Sequence, residues 1–190
     1  ILKQNKILKK KIRFNLINEH DIIKNKNKLK KINLIDIDLK QSRAFNTISS
    51  KSNKYISRCF DIAIKLIKKD ISDKLINGPI SKKTFLKKKY TGITEYLANK
   101  TNTKNFAMII YNKNLSVCPL TTHLPIKYVP KKINELEIIN KVKLIDKFWK
   151  DKFNKKVKVG VTGLNPHCES IDNFNEDRSI ILTKIKKLKK

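Results

Sequence analysis

The sequence has few arginines for a chain that carries so much positive charge. Only four of its 45 basic residues are arginines (Arg13, Arg43, Arg58 and Arg178), although the net charge is +29. A basic chain can bind nucleic acid or an anionic membrane surface. Arginine supplies the bidentate fork that reads guanine and grips phosphate, whereas lysine acts as a diffuse point charge. Because the lysines are also spread along the whole chain, we interpret the charge as a solvated surface, and we do not expect nucleic acid as a partner.

Cysteines and long apolar runs are also scarce. The three cysteines, Cys59, Cys118 and Cys168, have no CxxC spacing, and an odd number without a framework fits the reducing cytoplasm. No apolar run approaches the roughly 20 residues that a membrane-spanning helix needs. The basic start of the chain, Ile1 to Lys11, lacks the apolar core of a signal peptide. We therefore expect a cytoplasmic protein without a membrane partner.

The sequence does contain alternating strand-like and helix-like segments, and 39% hydrophobic residues are enough for one core. Alternating or β-branched apolar residues predict strands at Ile12–Ile17, Ile32–Leu39, Lys74–Asn77, Phe106–Tyr111, Leu115–Cys118 and Val157–Val161. Apolar residues at helical spacing predict helices at Ile56–Ile67, from Ser81 to Leu86, at Ile133–Trp149 and from about Asp177 onward. This order predicts an α/β fold with a mostly parallel sheet flanked by helices and one hairpin.

Four short polar segments follow predicted strands, which is where open α/β sheets gather their ligands. Two of the three histidines, His123 and His167, lie in these segments. The segments are residues 77–82 (NGPISK), 91–95 (TGITE), 121–125 (TTHLP) and 163–167 (GLNPH). A histidine that follows a strand and is held by prolines can bind a divalent metal. An isolated histidine is more often a hydrogen-bonded structural residue, as we interpret His20, so spacing alone leaves both roles open.

In combination, these segments resemble the family of 4-hydroxythreonine-4-phosphate dehydrogenases of pyridoxal phosphate biosynthesis. That family has a T-G-P strand end, a G-H-T-E loop, a T-T-H-L-P segment and a G-L-N-P-H segment. The corresponding stretches here read NGPISK, GITEYLA, TTHLPIKYVP and TGLNPH, and the resemblance extends from about Ile32 to the C-terminus. It implies a fold like that of isocitrate and isopropylmalate dehydrogenases. It also implies that residues 1–190 are the central portion of an incomplete α/β dehydrogenase, without the N-terminal segment and the C-terminal half.

The resemblance also implies a reaction. An enzyme of this family oxidises the 3-hydroxyl of 4-phosphooxy-L-threonine by hydride transfer to NAD, or to NADP. The β-keto acid then loses carbon dioxide to give 3-amino-2-oxopropyl phosphate. A divalent metal (Zn, Mg or Co) binds the substrate oxygens and stabilises developing charge. The complete protein would be a homodimer that binds a phosphorylated hydroxy-amino acid.

On this resemblance, His123 and His167 are two metal ligands and Thr94 contacts the substrate, while catalytic and cofactor-binding residues remain unassigned. We expect the two imidazoles to approach each other, at strand carboxyl ends that face one cleft. We expect residues 91–95 to form a loop that leads into a short helix with Thr94 at or near its N-cap. There Thr94 could either bind an anionic substrate group or only cap the helix.

Three departures from the family pattern leave other interpretations open. Ile93 replaces the family's substrate-contacting histidine, and the usual Gly-rich segment after GLNPH reads Cys168-Glu169-Ser170. The family's third ligand, in a Y-H-D-Q motif, lies beyond this sequence. Because two protein ligands under-coordinate a metal, we expect the 190 residues alone to be inactive. A decayed non-catalytic homologue and a basic nucleic-acid-binding module are the alternatives.

Replacing Ile93 with histidine tests the loop. In an active full-length version of the protein, Ile93→His should restore the family's polar contact and lower the Michaelis constant for the phosphorylated substrate. Steady-state kinetics of the two forms measure the effect. Unchanged kinetics would mean that the loop does not contact substrate here, and that part of the resemblance would have to be given up.

Overall fold

The protein is seen in a computed structural model that describes residues 1–24, 32–165, 167, 168, 171, 173, 175 and 177–182. The chain divides into two compact units, Ile1–Tyr96 and Leu97–Lys190. The first unit contains α1 (Leu2–Ile7), β1 (Asn15–Ile17), α2 (Glu19–Lys24), β2 (Asn33–Ile35), α3 (Asn53–Lys68) and α4 (Lys82–Phe85). The boundary falls within α5 (Ile93–Lys100), and the second unit continues with α6 (Val129–Lys132), α7 (Glu135–Phe153) and a π-helical turn (Asp177–Leu182). Short 3-10 turns occur at Ser50–Ser52 and Ile126–Tyr128.

A two-stranded parallel sheet lies in the first unit. β1 and β2 pair in register, with Leu16 opposite Leu34 and the neighbouring residues paired on either side. The sequence predicted strands at both places, and both form, although each has only three residues. The parallel direction is also as predicted.

The core of the first unit forms around α3. The predicted apolar stripe on this helix is present, and Phe60 and Ile62 are buried. Phe60 packs with Phe85 at 6.0 Å and with Tyr96 at 5.3 Å between ring centroids. Tyr90 lies 5.4 Å from Tyr96. Edge-on and offset ring packing of this kind adds about 0.5–1.5 kcal/mol per pair beyond burial, so these rings join α3 to α4 and to the start of α5.

A shared carboxylate connects α2 to α3. Glu19 accepts hydrogen bonds from Arg58 at 3.1 Å and from Lys65. The Lys65 hydrogen bond is the main reason that the pKa of Glu19 lies below its usual value. Exposed ion pairs of this type contribute at most about 1 kcal/mol each. The pairing therefore fixes the orientation of α2 more than it stabilises the unit.

Serines precede two of the helices, and one of them caps its helix. Ser52 precedes α3, but its side chain makes no capping hydrogen bond. Ser81 precedes α4, and its hydroxyl accepts from the backbone N–H of Thr84 at 3.3 Å. The two serines differ in backbone geometry, since Ser81 is extended and Ser52 is already helical. An extended backbone is what turns a capping oxygen toward the first turn.

The second unit contains the long amphipathic helix that the sequence predicted. The side chain of Asn134 accepts from the backbone N–H of Glu137 at 2.9 Å and caps the start of α7. The helix ends at Asn154, which adopts the left-handed conformation common at helix ends. The predicted hairpin is reduced to one antiparallel bridge, Ile110 with Val117, whose two hydrogen bonds measure 2.8 and 3.0 Å.

Two predicted strands are wrong. Residues 74–77 and 157–161, all of which the structure describes, have no regular secondary structure. The apolar pattern was present in both segments, but a strand also needs a neighbour that completes its backbone hydrogen bonds. The helix predicted from about Asp177 begins there as a π-helical turn, and residues 183–190 lie outside the described residues. So do residues 25–31.

The lysine side chains lie almost entirely at the surface. Each lysine that the structure describes is exposed, except for the half-buried Lys100 and Lys141. All three cysteines are free. None of the helices in the described ranges is both long and apolar enough to cross a membrane.

The cap of α7 gives a direct test of this local structure. Asn134→Ala should lower the free energy of unfolding by about 1 kcal/mol, because the Glu137 N–H loses its acceptor. Asn134→Asp keeps an acceptor at the same place and should leave stability nearly unchanged. Urea unfolding followed by circular dichroism measures both. Equal losses in the two variants would show that the cap does not hold this helix end.

Candidate functional site

The TTHLP segment places His123 on the surface of the second unit. The residue is exposed and its φ angle is +56°, which is uncommon for a residue other than glycine. Pro125 follows in extended conformation and leads directly into the 3-10 turn at residues 126–128. The backbone on the C-terminal side of His123 is therefore held by a proline and a short helix. The predicted strand before this segment is represented only by the bridge at Val117.

The GLNPH loop (residues 163–167) places His167 between two backbone tethers in the same unit. The Asp177 carboxylate accepts a hydrogen bond from the Leu164 N–H at 2.7 Å. The side-chain amide of Asn175 donates to the carbonyl of Cys168 at 3.2 Å. His167 lies between these two contacts and is exposed. Pro166 lies outside the described residues.

Asp177 is the one buried charged residue among those described, with 2% of its surface exposed. Its Oδ1 accepts from Leu164, whereas its Oδ2 has no hydrogen-bond partner within the described part of the chain. Buried polar atoms are normally paired, and one left unpaired costs about 1–3 kcal/mol. The carboxylate therefore holds the GLNPH loop through one of its two oxygens.

Gly163 allows this close packing. A Cβ atom placed on Gly163 would lie 2.2 Å from the Cys168 Sγ, 3.1 Å from the Asn165 carbonyl oxygen and 3.2 Å from the Asp177 Oδ1. The first distance is shorter than real contacts allow, and the other two are tight. Within the loop, the Asn165 side chain also accepts from the His167 N–H at 2.9 Å. The loop is therefore packed and hydrogen-bonded around the histidine that it exposes.

Thr94 lies in the first unit, as the second residue of α5, and is half-buried. The predicted loop-to-helix arrangement forms, with Thr94 near the N-cap position but inside the helix. The first-turn amides of any helix lack intrahelical partners and attract anions. Thr94 belongs to the first unit, whereas the two histidines belong to the second.

Residues 77–82, the NGPISK segment, are mostly exposed, and the side chains at its two ends make local contacts. The Asn77 side chain donates to the Gly78 carbonyl at 3.0 Å. Ser81 donates to the Thr84 hydroxyl at 3.0 Å as well as capping α4. These contacts organise a turn and a helix start.

The predicted metal ligands do not form a complete centre within the described residues. No three His, Cys, Asp or Glu side chains come close enough there to hold a metal ion. Burial raises the pKa of the Cys118 thiol, an effect that nearby Lys141 partly offsets. That thiol is therefore neutral at pH 7, whereas a thiol must be deprotonated to bind metal well. The mutual approach of His123 and His167 stays a prediction.

Comparison with known proteins identifies the family. The family model described as pyridoxal phosphate biosynthetic protein PdxA matches residues 1–190. The chain belongs to the PdxA family. The resemblance inferred from the TTHLP and GLNPH segments is thereby confirmed.

Individual PdxA relatives cover this chain well, but the chain covers only part of them. A 4-hydroxythreonine-4-phosphate dehydrogenase from Sulfurihydrogenibium sp. is 38% identical over 162 residues, which is 83% of this chain and 49% of that protein. A protein from Oceanobacillus iheyensis, provisionally named a D-threonate 4-phosphate dehydrogenase, is 29% identical over 80% of this chain and 47% of its own length. The chain thus spans about half the length of these relatives.

A solved structure shows the fold. A protein from Salmonella typhimurium, provisionally named a 4-hydroxythreonine-4-phosphate dehydrogenase, superposes with a TM-score of 0.81 at 21% identity. The match covers 99% of this chain and 59% of that one. The PdxA fold is therefore present in the chain, and its described residues are α/β with a small parallel sheet.

Sequence reasoning missed the two residues that tether the GLNPH loop. Asn175 accepts from the Arg178 N–H at 2.9 Å, three residues along, which is the spacing of an asparagine that caps a helix. That spacing could have marked Asn175 in the sequence. Nothing comparable marks Asp177, because its partner Leu164 lies 13 residues away.

The packing at Gly163 predicts a steric effect. Gly163→Ala should lower the free energy of unfolding by about 1–3 kcal/mol, as overpacked sites do. Gly160→Ala is the matched control, since a Cβ there would meet nothing within 4 Å. Thermal and urea unfolding of both variants measure the difference. Similar stabilities for the two alanine variants would contradict the close packing at Gly163.

Proposed function

We propose that this protein is an NAD-dependent dehydrogenase of 4-phosphooxy-L-threonine, acting in vitamin B6 synthesis as part of a longer subunit. The observation that carries the proposal is the pair of motif histidines in a PdxA-family chain, each exposed on a backbone held by local contacts. An exposed imidazole on a fixed backbone can bind a ligand at little conformational cost. The proposal is the same if the cofactor is NADP in place of NAD.

His123 and His167 would hold the divalent metal. Imidazole nitrogens suit Zn²⁺, and oxygen-rich sites suit Mg²⁺, so a histidine pair favours the former. The pair alone is an incomplete ligand set, and the described residues offer no third ligand to complete it. When bound, a divalent cation polarises the substrate oxygens and stabilises charge that develops during oxidation. The residues described here would bind and orient, and the remaining ligand would come from elsewhere in the subunit.

Thr94 would contact the anionic substrate at the start of α5. The first-turn amides and the positive helix end favour a phosphate or a carboxylate. Ile93 stands beside Thr94 and offers no hydrogen bond from its side chain. We therefore place substrate binding in this loop on Thr94 and the backbone amides.

Atoms and electrons balance in the proposed reaction, and no residue is assigned as the general base. The C3–H bond breaks and its hydride passes to NAD, while the 3-hydroxyl loses its proton and the C3–O bond becomes a carbonyl. Carbon dioxide then leaves from the β-keto acid, and the electron pair of the broken bond is protonated at carbon. The cofactor carries the hydride, and the protein fixes its position. A homodimer in a reducing cytoplasm completes the proposal, with the three free thiols in agreement.

A related substrate is the second candidate. The relative from Oceanobacillus iheyensis carries a name that refers to D-threonate 4-phosphate, and it matches 80% of this chain. The two substrates differ in the group at C2, an ammonium in one and a hydroxyl in the other. Ile93 replaces a polar contact in this loop, which makes a direct comparison of the two substrates worthwhile.

Histidine variants test the proposal in the protein expressed with its flanking coding sequence. His123→Ala and His167→Ala should each lower kcat/KM for 4-phosphooxy-L-threonine by more than about 100-fold, since loss of a ligand exceeds the cost of disturbing its support. His20→Ala is the matched control, because His20 is equally exposed but lies on α2, and it should leave the rate unchanged. NADH formation measured with both substrates, with and without a chelator, gives the readout.

Full activity in both motif-histidine variants would remove the metal assignment. No turnover of either substrate by the complete wild-type protein, with metal supplied, would favour the decayed homologue. Tight, salt-steep binding of DNA or RNA by that inactive protein would favour the basic binding module instead.

A further inference from the structure

We propose that Asp177 is a positioning residue, which fixes the backbone of the GLNPH loop and thereby the place of His167. The proposal rests on the proposed function only for the role of His167 as a metal ligand. The positioning itself is a property of this chain and can be measured without metal.

The contact between Asp177 and the loop is short, and its acceptor is buried. Oδ1 accepts from the Leu164 N–H at 2.7 Å in a part-buried hydrogen bond, and only 2% of the surface of Asp177 is exposed. A Cβ atom added to Gly163 would lie 3.2 Å from the same oxygen, so glycine allows this close approach. Water competes little for an acceptor that is buried, so the hydrogen bond can hold one loop conformation.

A second contact fixes the other side of the histidine. Asn175 donates to the Cys168 carbonyl at 3.2 Å and also accepts from the Arg178 N–H at 2.9 Å. The loop is therefore joined to one short segment at Leu164 and again at Cys168, with His167 between the two points. The two contacts therefore hold the loop backbone at Leu164 and at Cys168, which restricts where the imidazole of His167 can lie.

The hydrogen-bond acceptor of Asp177, and not its negative charge, fixes the backbone of the GLNPH loop. The contact to the loop uses Oδ1 alone, and Oδ2 has no hydrogen-bond partner within the described ranges. An asparagine at this position can present the same acceptor without the charge. Ligand-supporting contacts of this type usually change metal affinity by about 10- to 100-fold when they are lost.

The metal-free test uses the 190-residue chain and amide hydrogen exchange by NMR. Asp177→Ala should speed exchange of the Leu164 amide by about tenfold or more, because its buried acceptor is gone. It should also shift the ring signals of His167. Asp177→Asn should stay within about threefold of the wild type on the same scale. Asp151→Ala, which removes an exposed carboxylate from α7, is the matched control and should change neither readout.

A variant with an apolar side chain keeps the test decisive if Asp177→Ala does not fold. Asp177→Leu has the same branching at Cγ as asparagine, although it is larger, and it has no acceptor, so it should reproduce the faster Leu164 exchange in a folded chain. Unchanged exchange in the folded alanine or leucine variant overturns the proposal. An asparagine variant as perturbed as the alanine variant also overturns it, because the charge would then be responsible.

Zinc titration of the complete protein separates this proposal from the proposed function. Asp177→Ala should weaken Zn²⁺ binding by about 10- to 100-fold, and Asp177→Asn should restore it. Wild-type protein that binds no Zn²⁺, Mg²⁺ or Co²⁺ would refute the ligand role of His167, while Leu164 exchange still decides the positioning role. Normal Zn²⁺ affinity in Asp177→Ala, together with faster Leu164 exchange, would overturn the positioning of the ligand.

Discussion

Backbone groups and apolar side chains in this chain need partners from distant parts of the sequence. Whether such a partner is present decides whether a predicted strand forms. β1 and β2 pair residues that are 18 positions apart, such as Ile17 with Ile35, and complete each other's backbone hydrogen bonds. Residues 74–77 have no such neighbour among the described residues, and Ile76 is 94% exposed. An apolar residue that stays exposed contributes none of the roughly 25 cal/mol per Å² that burial gives.

The same distinction explains which parts of the fold could be predicted. Helices α3 and α7 follow from the spacing of apolar residues within a few positions, and both form with bounds near those predicted. The strand at residues 157–161 had an equally clear pattern and does not form, because a period of two says nothing about the neighbour. The single bridge between Ile110 and Val117 lies between these two outcomes. Its two segments are near in sequence, so one could supply the other with a pairing partner.

The same limit applies to the candidate site, because its local motifs could be predicted from the sequence and its long-range contacts could not. TTHLP and GLNPH are each an unbroken run of residues, so the sequence alone could indicate His123 and His167. Thr94 could likewise be placed near a helix start. Two contacts hold the GLNPH loop, one over 7 positions through the side-chain amide of Asn175 and one over 13 positions through the carboxylate of Asp177, which has no recognisable motif. Periodicity and motif matching do not detect a single long-range hydrogen bond. Its signature is visible only in three dimensions, as a buried aspartate with one oxygen paired.

A metal centre is subject to the same requirement as a sheet, because its ligands must come together from separate segments. Each histidine is prepared locally, His123 by the proline and 3-10 turn that follow it and His167 by the tethers around its loop. Local preparation lowers the entropy that must be lost when ligands converge. It does not supply the remaining ligand, just as a β-branched run does not supply a neighbouring strand. The described residues therefore offer two locally held imidazoles and no group of three possible metal ligands. This is the arrangement expected if, as proposed, the remaining ligand comes from elsewhere in the subunit.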